Sequence, residues 1–317
     1  MAAPPLLSPA DRAALQPLQF SPSARVTGHY AGRHASPQRG SAVEFRDYRA
    51  YTPGDAPSAI DWKVYGRSDR LVVKQYDHQT DLTVHLVVDA SASMAYAGAL
   101  PPAPTGGRLA RLLGGGSPGA PPPSKLDHAR RLAAALAFVV IHQQDRAGVA
   151  VAQNGAGPAI DPAASWPHLH RVTTTLERLL AGGSAGLAAA LAALDARTRR
   201  RGVVVVFSDL ADPPGPVIEA ANRLTHRGHE VIVFQTLHPD ELSLPDLSDT
   251  VFVDSETGDT VHVQVEDIRD AYAERARRRV ATWRRQLAAR GATHRLVPTD
   301  TPPTAALRDF LFHRSAR

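Results

Sequence analysis

The chain has 317 residues, 43% of them apolar and 21% charged, which is ordinary for a soluble protein of one large domain with or without a smaller companion. It contains no cysteine, which excludes disulfides, thiolate metal sites and cysteine nucleophiles. Its apolar runs fall short of the roughly 18–20 residues of a membrane helix, and its net charge of +5 reflects a small surplus of basic residues.

The N-terminal quarter of the chain divides into two predicted regions. Residues 1–25, rich in Pro, Ala and Ser, predict a mobile or loosely docked arm with at most one helical turn. They lack a basic n-region and a long apolar stretch, so no signal peptide is predicted, and a cytoplasmic protein is expected. Residues 26–80 combine aromatic residues with turn signals and predict a small β-rich segment, with a strand at 70–76 and a strand entry with a packed indole at Ile60-Asp61-Trp62.

From residue 81 to residue 317 the pattern alternates between strands and helices. Strands are predicted at 83–88, 147–153, 203–208, 230–237 and 293–298, a hairpin at 250–265, and helices at 125–144, 168–180, 186–199, 216–228, 265–290 and 303–314. The apolar runs Val84–Val88, Val203–Phe207 and Val231–Phe234 are typical of central strands buried on both faces. The predicted fold class is therefore α/β, a doubly wound and mostly parallel sheet, interrupted by a Gly/Pro-rich insertion at 95–124 that is predicted to be disordered.

Polar side chains follow two of the predicted central strands. Asp89, Ser91 and Ser93 come directly after the first strand, and Asp209 comes directly after the strand at 203–208. Ser184 lies in a Gly-rich turn before a helix, at the same predicted edge. Because ligands bind beyond the carboxyl ends of parallel strands, these two carboxylates and three hydroxyls predict a site for Mg²⁺ or Mn²⁺. The alternative for Asp89-Ala-Ser-Ala-Ser93 is a capped turn, since Asp and Ser readily bond to nearby backbone.

This arrangement resembles the metal-ion-dependent adhesion site of von Willebrand factor type A domains. The Asp-x-Ser-x-Ser element of that family matches at 89–93, and its later aspartate matches at Asp209. Its threonine corresponds to Ser184, which keeps the hydroxyl but loses the methyl that restricts the rotamer. The resemblance implies that Asp89, Ser91, Ser93, Ser184 and Asp209 bind a metal with one coordination position open to a carboxylate from a protein partner.

The segment ahead of this motif adds a second resemblance. Residues 43–77, VEFRDYRAYTPGDAPSAIDWKVYGRSDRLVVKQYD, resemble the signature of domain of unknown function number 58, with Arg-x-Tyr-x-x-Gly-Asp and Ile-Asp-Trp in the order of that family. Those proteins carry a von Willebrand type A-like domain and are often encoded beside MoxR-type AAA+ ATPases. The resemblance implies a non-catalytic adaptor or partner of such an ATPase in a chaperone-like assembly.

Two other functions, phosphotransfer and nucleic-acid binding, have some support in the residues. Asp89 after a buried strand also occupies the nucleophile position of haloacid-dehalogenase-type phosphotransferases, but their general acid two residues later is here Ser91, which cannot do that work near neutral pH. The sequence therefore predicts no enzyme. The Arg-rich stretch 274–290 could place Arg275, Arg278, Arg279 and Arg285 on one helix face for weak nucleic-acid binding, or simply form a solvated face.

Overall fold

The computed structural model describes residues 5–22, 44–52, 60–77, 82–98, 123–245, 249–253 and 260–315. The chain divides into two compact units. One comprises Met1–Phe20 with Thr83–Arg317, and the other comprises Ser21–Leu82.

The elements of the described residues are as follows. The strands are β1 (Glu44–Ala50), β2 (Val72–Asp77), β3 (Thr83–Asp89), β4 (Arg146–Ala152), β5 (Ala156–Ala163), β6 (Val203–Ser208), β7 (Glu230–Leu237), β8 (Asp249–Val253), β9 (Thr260–Gln264) and β10 (Thr293–Pro298). The helices are α1 (Pro9–Leu15), α2 (Trp62–Ser68), α3 (Lys125–His142), α4 (Trp166–Glu177), α5 (Leu187–Arg197), α6 (Pro214–His226), α7 (Pro239–Leu242), α8 (Val265–Ala289) and α9 (Pro303–Ser315), with a 3₁₀ helix at Ala92–Ala95.

The larger unit is built on a six-stranded sheet with strand order β10-β7-β6-β3-β4-β5. Every neighbouring pair is parallel except β4 and β5, which are antiparallel. This confirms the predicted fold class, an α/β doubly wound and mostly parallel sheet. Since β3 and β6 are adjacent and in parallel register, with Val88 opposite Phe207, their carboxyl ends lie side by side.

Helices cover both faces of this sheet because the central strands are apolar on both sides. All of β6 is buried, as predicted for a continuous apolar run. On one face α5, α6 and the end of α8 close a core that includes Leu191, Leu224 and Trp283. On the other face α3 contacts β3, β4, β6 and β7, and α1 and α9 pack against α3. The run of small alanines in α3 lets this helix lie close to the sheet.

The smaller unit contains one antiparallel strand pair and one helix in its described residues. β1 and β2 pair directly as antiparallel neighbours. The predicted strand entry at Ile60-Asp61-Trp62 holds only for Ile60, which forms a β-bridge with Val73. Asp61 caps α2 by accepting the N–H groups of Lys63 and Val64, and the Trp62 ring is 58% exposed rather than packed. An aspartate ahead of a helix-compatible run satisfies its first N–H groups, and this capping outweighs the strand tendency of the indole.

Two further interpretations change in the larger unit. Residues 5–20 are not a loose arm, because α1 has a complete Ser8–Asp11 capping box and Phe20 is fully buried with its N–H donated to Gln143 Oε1 at 2.9 Å. The edge strand β5 was not predicted, since its two prolines are unusual in strands and tolerated at edges. Most of the predicted insertion, at 99–122, lies outside the described residues.

Candidate metal centre

Strand β3 places Asp89 at the carboxyl edge of the sheet, and the aspartate itself organises the turn that follows. Its Oδ1 accepts the backbone N–H of Ser91 at 2.9 Å, which is the capped turn considered as an alternative. Buried Met94 anchors the 3₁₀ helix that begins after Ser91. The turn places the Oγ atoms of Ser91 and Ser93 3.2 Å apart. Turn capping and a pair of converging hydroxyls are thus both present.

The second aspartate reaches the same place from the neighbouring strand. The hydroxyl of Ser208, the last residue of β6, donates to Asp89 Oδ2 at 2.6 Å. Asp209 follows, and the nearby Ser93 hydroxyl helps to lower the pKa of its carboxyl. Both aspartates are almost completely buried. The structure therefore brings together four of the residues singled out in the sequence, namely Asp89, Ser91, Ser93 and Asp209.

The Gly-rich turn with Ser184 lies beside this cluster, but its hydroxyl is directed elsewhere. The backbone of the turn is bonded to the motif loop, with Ala92 N–H donated to Gly183 O at 3.0 Å. Gly183 has φ +71°, and a Cβ there would lie 2.3 Å from Asn154 Oδ1, so the close approach requires glycine. Ser184 is exposed, and its Oγ lies 3.4 Å from that same Asn154 oxygen. Its role as a ligand stays a prediction.

A lysine that the sequence patterns did not single out lies in the cluster. Lys125 is the first residue of α3 and is 1% exposed. Its Nζ donates to Asp209 Oδ2 and to Glu241 Oε1, both at 2.7 Å. Glu241 belongs to the short helix α7 that follows β7, so a third strand of the sheet contributes to the same edge. Asp209 is therefore one side of a buried ion-pair network.

Burial and neighbouring charges set the protonation of these groups. Burial, reinforced by the nearby Asp209 charge, raises the pKa of Asp89 to about 6, against the opposing hydrogen bonds from Ser208 and Ser91. Burial acts in the same direction on Asp209, but the Lys125 ammonium outweighs it and holds the pKa of that carboxyl below its usual range. Burial acts to lower the pKa of Lys125, and the Asp209 and Glu241 carboxylates raise it overall. Asp209 is thus a stabilised anion and Asp89 a poorly stabilised one.

The spacing of the serine oxygens suits a small hard cation. Neighbouring ligands of an octahedral Mg²⁺, each at about 2.0–2.1 Å from the ion, lie roughly 3 Å apart. The 3.2 Å between the Ser91 and Ser93 oxygens matches that spacing. No cluster of three or more His, Asp or Glu side chains able to hold a metal occurs in the described part of the chain, so a cation here would depend on these hydroxyls. The ammonium of Lys125 on Asp209 is the feature that opposes a second cation.

Sequence reasoning missed three residues of this cluster: Lys125, Ser208 and Glu241. Ser208 is the last residue of a buried strand and immediately precedes Asp209, so its position was a usable signal. Glu241 follows the end of β7 at the edge where ligands are expected. Lys125 was recognised only as the start of a helix. No local pattern indicates that its side chain turns toward a residue 84 positions away.

The structure bears differently on the two alternative functions, phosphotransfer at Asp89 and nucleic-acid binding by the arginines of α8. A phosphotransferase mechanism needs an accessible oxygen on Asp89, whereas Oδ1 accepts from Ser91 and Oδ2 accepts from Ser208 in a buried setting. The arginines of α8 that were considered for nucleic-acid binding are all exposed, and Arg278 donates to Glu274 at 2.8 Å on the same helix. These exposed side chains are equally compatible with a solvated face.

The fold and the site together define the class of this protein. A doubly wound parallel sheet carries an Asp-x-Ser-x-Ser loop and a second aspartate at its carboxyl edge, as in von Willebrand factor type A-like domains. The family model described as "Protein of unknown function DUF58" matches residues 47–100 and 116–282. The chain belongs to that family, which confirms the resemblance identified from residues 43–77 and the motif.

This chain is similar to a curated mycobacterial protein and to solved structures of similar fold. The Mycobacterium tuberculosis protein Rv1480 is 28% identical over 309 residues, which cover 95% of this chain and 89% of that protein. The crystal structure of the conserved hypothetical protein BatB from Bacteroides thetaiotaomicron has a TM-score of 0.46 at 16% identity, covering 74% of this chain and all of that one. A von Willebrand factor type A structure from Catenulispora acidiphila has a TM-score of 0.36 at 12% identity, covering 75% and 42%. Within the described residues, no helix is both long and apolar enough to span a membrane.

Proposed function

We propose that this protein is a non-catalytic, metal-dependent protein–protein interaction module. The metal, Mg²⁺ or Mn²⁺, would be held by Asp89, Ser91, Ser93, Ser184 and Asp209. The observation that carries the proposal is the pair of serine hydroxyls 3.2 Å apart between two buried aspartates at the carboxyl edge of a parallel sheet. That edge is where open α/β folds bind their ligands.

The side chains of the cluster have distinct tasks in this proposal. A hard cation at this position would supply a Lewis-acidic site for an acidic side chain of the partner. Ser91 and Ser93 bind it as neutral ligands, so they leave most of its positive charge uncompensated. Asp89 Oδ1 accepts the backbone N–H of Ser91 and so fixes the loop that carries both serines. The Asp209 carboxylate lies near the Ser93 hydroxyl. For Ser184 to join the shell, its hydroxyl would have to turn away from Asn154.

The surroundings of the cluster suit contact with a folded partner. Leu180 is 78% exposed. Its carbonyl accepts from Gln153 Nε2, the same amide group that bonds the carbonyls of Ala90 and Gly182. An exposed leucine held beside the motif loop offers apolar contact area next to a charged anchor, a combination typical of interfaces.

The partner we propose is a MoxR-type AAA+ ATPase in the cytoplasm. The support for this partner is membership of the family, whose proteins are often encoded beside such ATPases. An acidic side chain on the ATPase would bind the cation, and the surrounding surface would set specificity.

The experiment is isothermal titration calorimetry of the full chain with a purified MoxR-type ATPase encoded beside it. Wild type and Asp89→Asn are each measured in 5 mM EDTA and in 10 mM Mg²⁺. The proposal expects binding only for wild type in Mg²⁺. The matched control is Asp161→Asn, which neutralises an exposed carboxylate on edge strand β5 and should bind like wild type.

The outcomes separate the metal from the partner. Equal binding in EDTA and Mg²⁺ would show that the interaction does not run through the metal. If the ATPase does not bind at all while the chain takes up Mg²⁺ in a separate titration, the proposed partner is wrong and the metal site stands.

A further inference from the structure

Lys125 is an unusual residue in this chain. The 36 basic residues comprise 33 arginines and only three lysines, Lys63, Lys74 and Lys125. Lys125 is 1% exposed, although lysine is among the residues least often buried. Burying an ammonium group is unfavourable unless carboxylates compensate it, so the surroundings of this side chain must supply that compensation.

The compensation comes from two carboxylates that lie on different strands of the sheet edge. The ammonium bridges Asp209 after β6 and Glu241 after β7, at 2.7 Å from an oxygen of each. The Tyr96 ring lies 6.0 Å from Nζ, and the backbone N–H of Lys125 donates to the Tyr96 carbonyl at 2.9 Å. Helix α3 therefore fixes the base of the side chain, and two carboxylates hold its tip.

The same Asp209 oxygen cannot serve two cations equally well. A divalent ion held by Ser91 and Ser93 would draw on the Asp209 carboxylate, directly or through water, because the Ser93 hydroxyl lies close enough to lower the pKa of that carboxyl. Its double charge would then lie within a few ångströms of the ammonium, in a setting of low dielectric where like charges repel strongly. Close approach of both cations to Asp209 is therefore unfavourable.

We infer that Lys125 is a tethered competitor of the divalent metal, and that the Lys125–Asp209 ion pair and metal binding exclude each other. This inference rests on the proposed metal site. Glu241 makes the exchange feasible, because Lys125 can leave Asp209 and keep its second carboxylate without becoming an uncompensated buried charge. In the metal-poor state the lysine neutralises Asp209, and in the metal-bound state it is held by Glu241 alone.

This competition sets the affinity and selectivity of the site. Part of the metal's binding free energy is used to break a buried ion pair, so the site discriminates against weakly interacting cations. Lys125 is thus a specificity-determining residue of the centre.

The first test measures Mn²⁺ affinity by calorimetry for wild type, Lys125→Met and the control Lys63→Met. Methionine keeps much of the length of the lysine stem and removes its charge, while Lys63 is an exposed lysine of the smaller unit. We expect Lys125→Met to bind Mn²⁺ at least tenfold more tightly than wild type, and Lys63→Met to match wild type. Unchanged or weaker affinity in Lys125→Met, with measurable wild-type binding, overturns the competition and leaves the proposed metal site intact. If neither wild type nor Lys125→Met binds Mn²⁺, the proposed metal site itself is overturned.

The second test uses the wild-type protein and does not depend on the folding of a variant. Lysines are acetylated with a succinimidyl ester, and the rate at each lysine is read from peptide masses, first in EDTA and then at saturating Mn²⁺. Without metal, Lys125 should react much more slowly than Lys63. With Mn²⁺ its rate should rise at least threefold while that of Lys63 stays constant. Saturation by Mn²⁺ with no rise at Lys125 overturns the inference.

Discussion

Replacement of Asp89 by asparagine is expected to stabilise the metal-free protein at neutral pH. The carboxyl group is completely buried, and its pKa is raised from 3.8 to about 6, first by burial and then by the Asp209 charge. At about 1.36 kcal/mol per pH unit, this difference corresponds to roughly 3 kcal/mol. Because the folded protein binds this proton more tightly than the unfolded chain does, the stabilisation by protonated Asp89 is full below pH about 4. It is lost as the pH rises to about 6.

The asparagine variant removes this pH-dependent cost and loses part of the hydrogen bonding. The introduced amide would offer one carbonyl oxygen to the two donors that Asp89 now accepts, Ser91 N–H and the Ser208 hydroxyl. The Ser208 hydroxyl can turn to accept from the amide, so we assign this change a cost of about 1 kcal/mol. The net expectation in EDTA at pH 7.5 is that Asp89→Asn is more stable than wild type by about 1–2 kcal/mol. This advantage should disappear near pH 4.

The assay is urea unfolding in EDTA at pH 4.5 and pH 7.5 for wild type, Asp89→Asn and the exposed control Asp161→Asn. The control should change the free energy of unfolding by less than about 0.5 kcal/mol at either pH. If the proposed metal binds, Mg²⁺ at a hundred times its dissociation constant should stabilise wild type by about 2.7 kcal/mol and leave Asp89→Asn unchanged, which reverses their order. A variant less stable than wild type in EDTA at pH 7.5, by an amount that does not vary with pH, would refute the reasoning.

Two further predictions concern the fold. Phe20→Ala should lower the free energy of unfolding by roughly 3–5 kcal/mol, because the ring is fully buried and lies 4.9 Å from the Arg314 guanidinium. Urea titration checks this against the exposed neighbour Gln19→Ala, and equal effects of the two changes would contradict the docking of the N-terminal segment. The change His128→Gln should reduce the loss of unfolding free energy that occurs at acid pH. Burial lowers the pKa of His128 to about 4, so the stability that the neutral ring contributes above pH 6.5 is lost in wild type as the pH falls toward 4. If the unfolding free energies of wild type and His128→Gln fall equally between pH 6.5 and pH 4, the lowered pKa of His128 is contradicted.

Much of the fold could be predicted because its signals are local. Continuous apolar runs identified β6 and β7, and a mainly apolar run broken only by His85 identified β3. A short apolar run bounded by turn residues is typical of a strand buried on both faces. The family signature was also contiguous and was confirmed by the match over 47–100 and 116–282. Edge strand β5 escaped prediction, since its eight residues include two prolines and a glycine, and pairing with β4 is what defines it as a strand.

The residues of the candidate site also fall into two groups, those that the sequence predicted and those that only the tertiary structure placed. The sequence alone determined that Asp89, Ser91, Ser93 and Asp209 follow strand ends, and parallel strands bring their carboxyl ends to one edge. Only the tertiary structure decided that the Ser184 hydroxyl faces Asn154 and that Asp89 is completely buried. It alone also placed Lys125 between Asp209 and Glu241, and Phe20 against Gln143. Each of these contacts joins residues that are 30 or more positions apart. Periodicity and motif spacing report on neighbours along the chain, whereas the packing of helices onto the sheet sets which distant side chains meet.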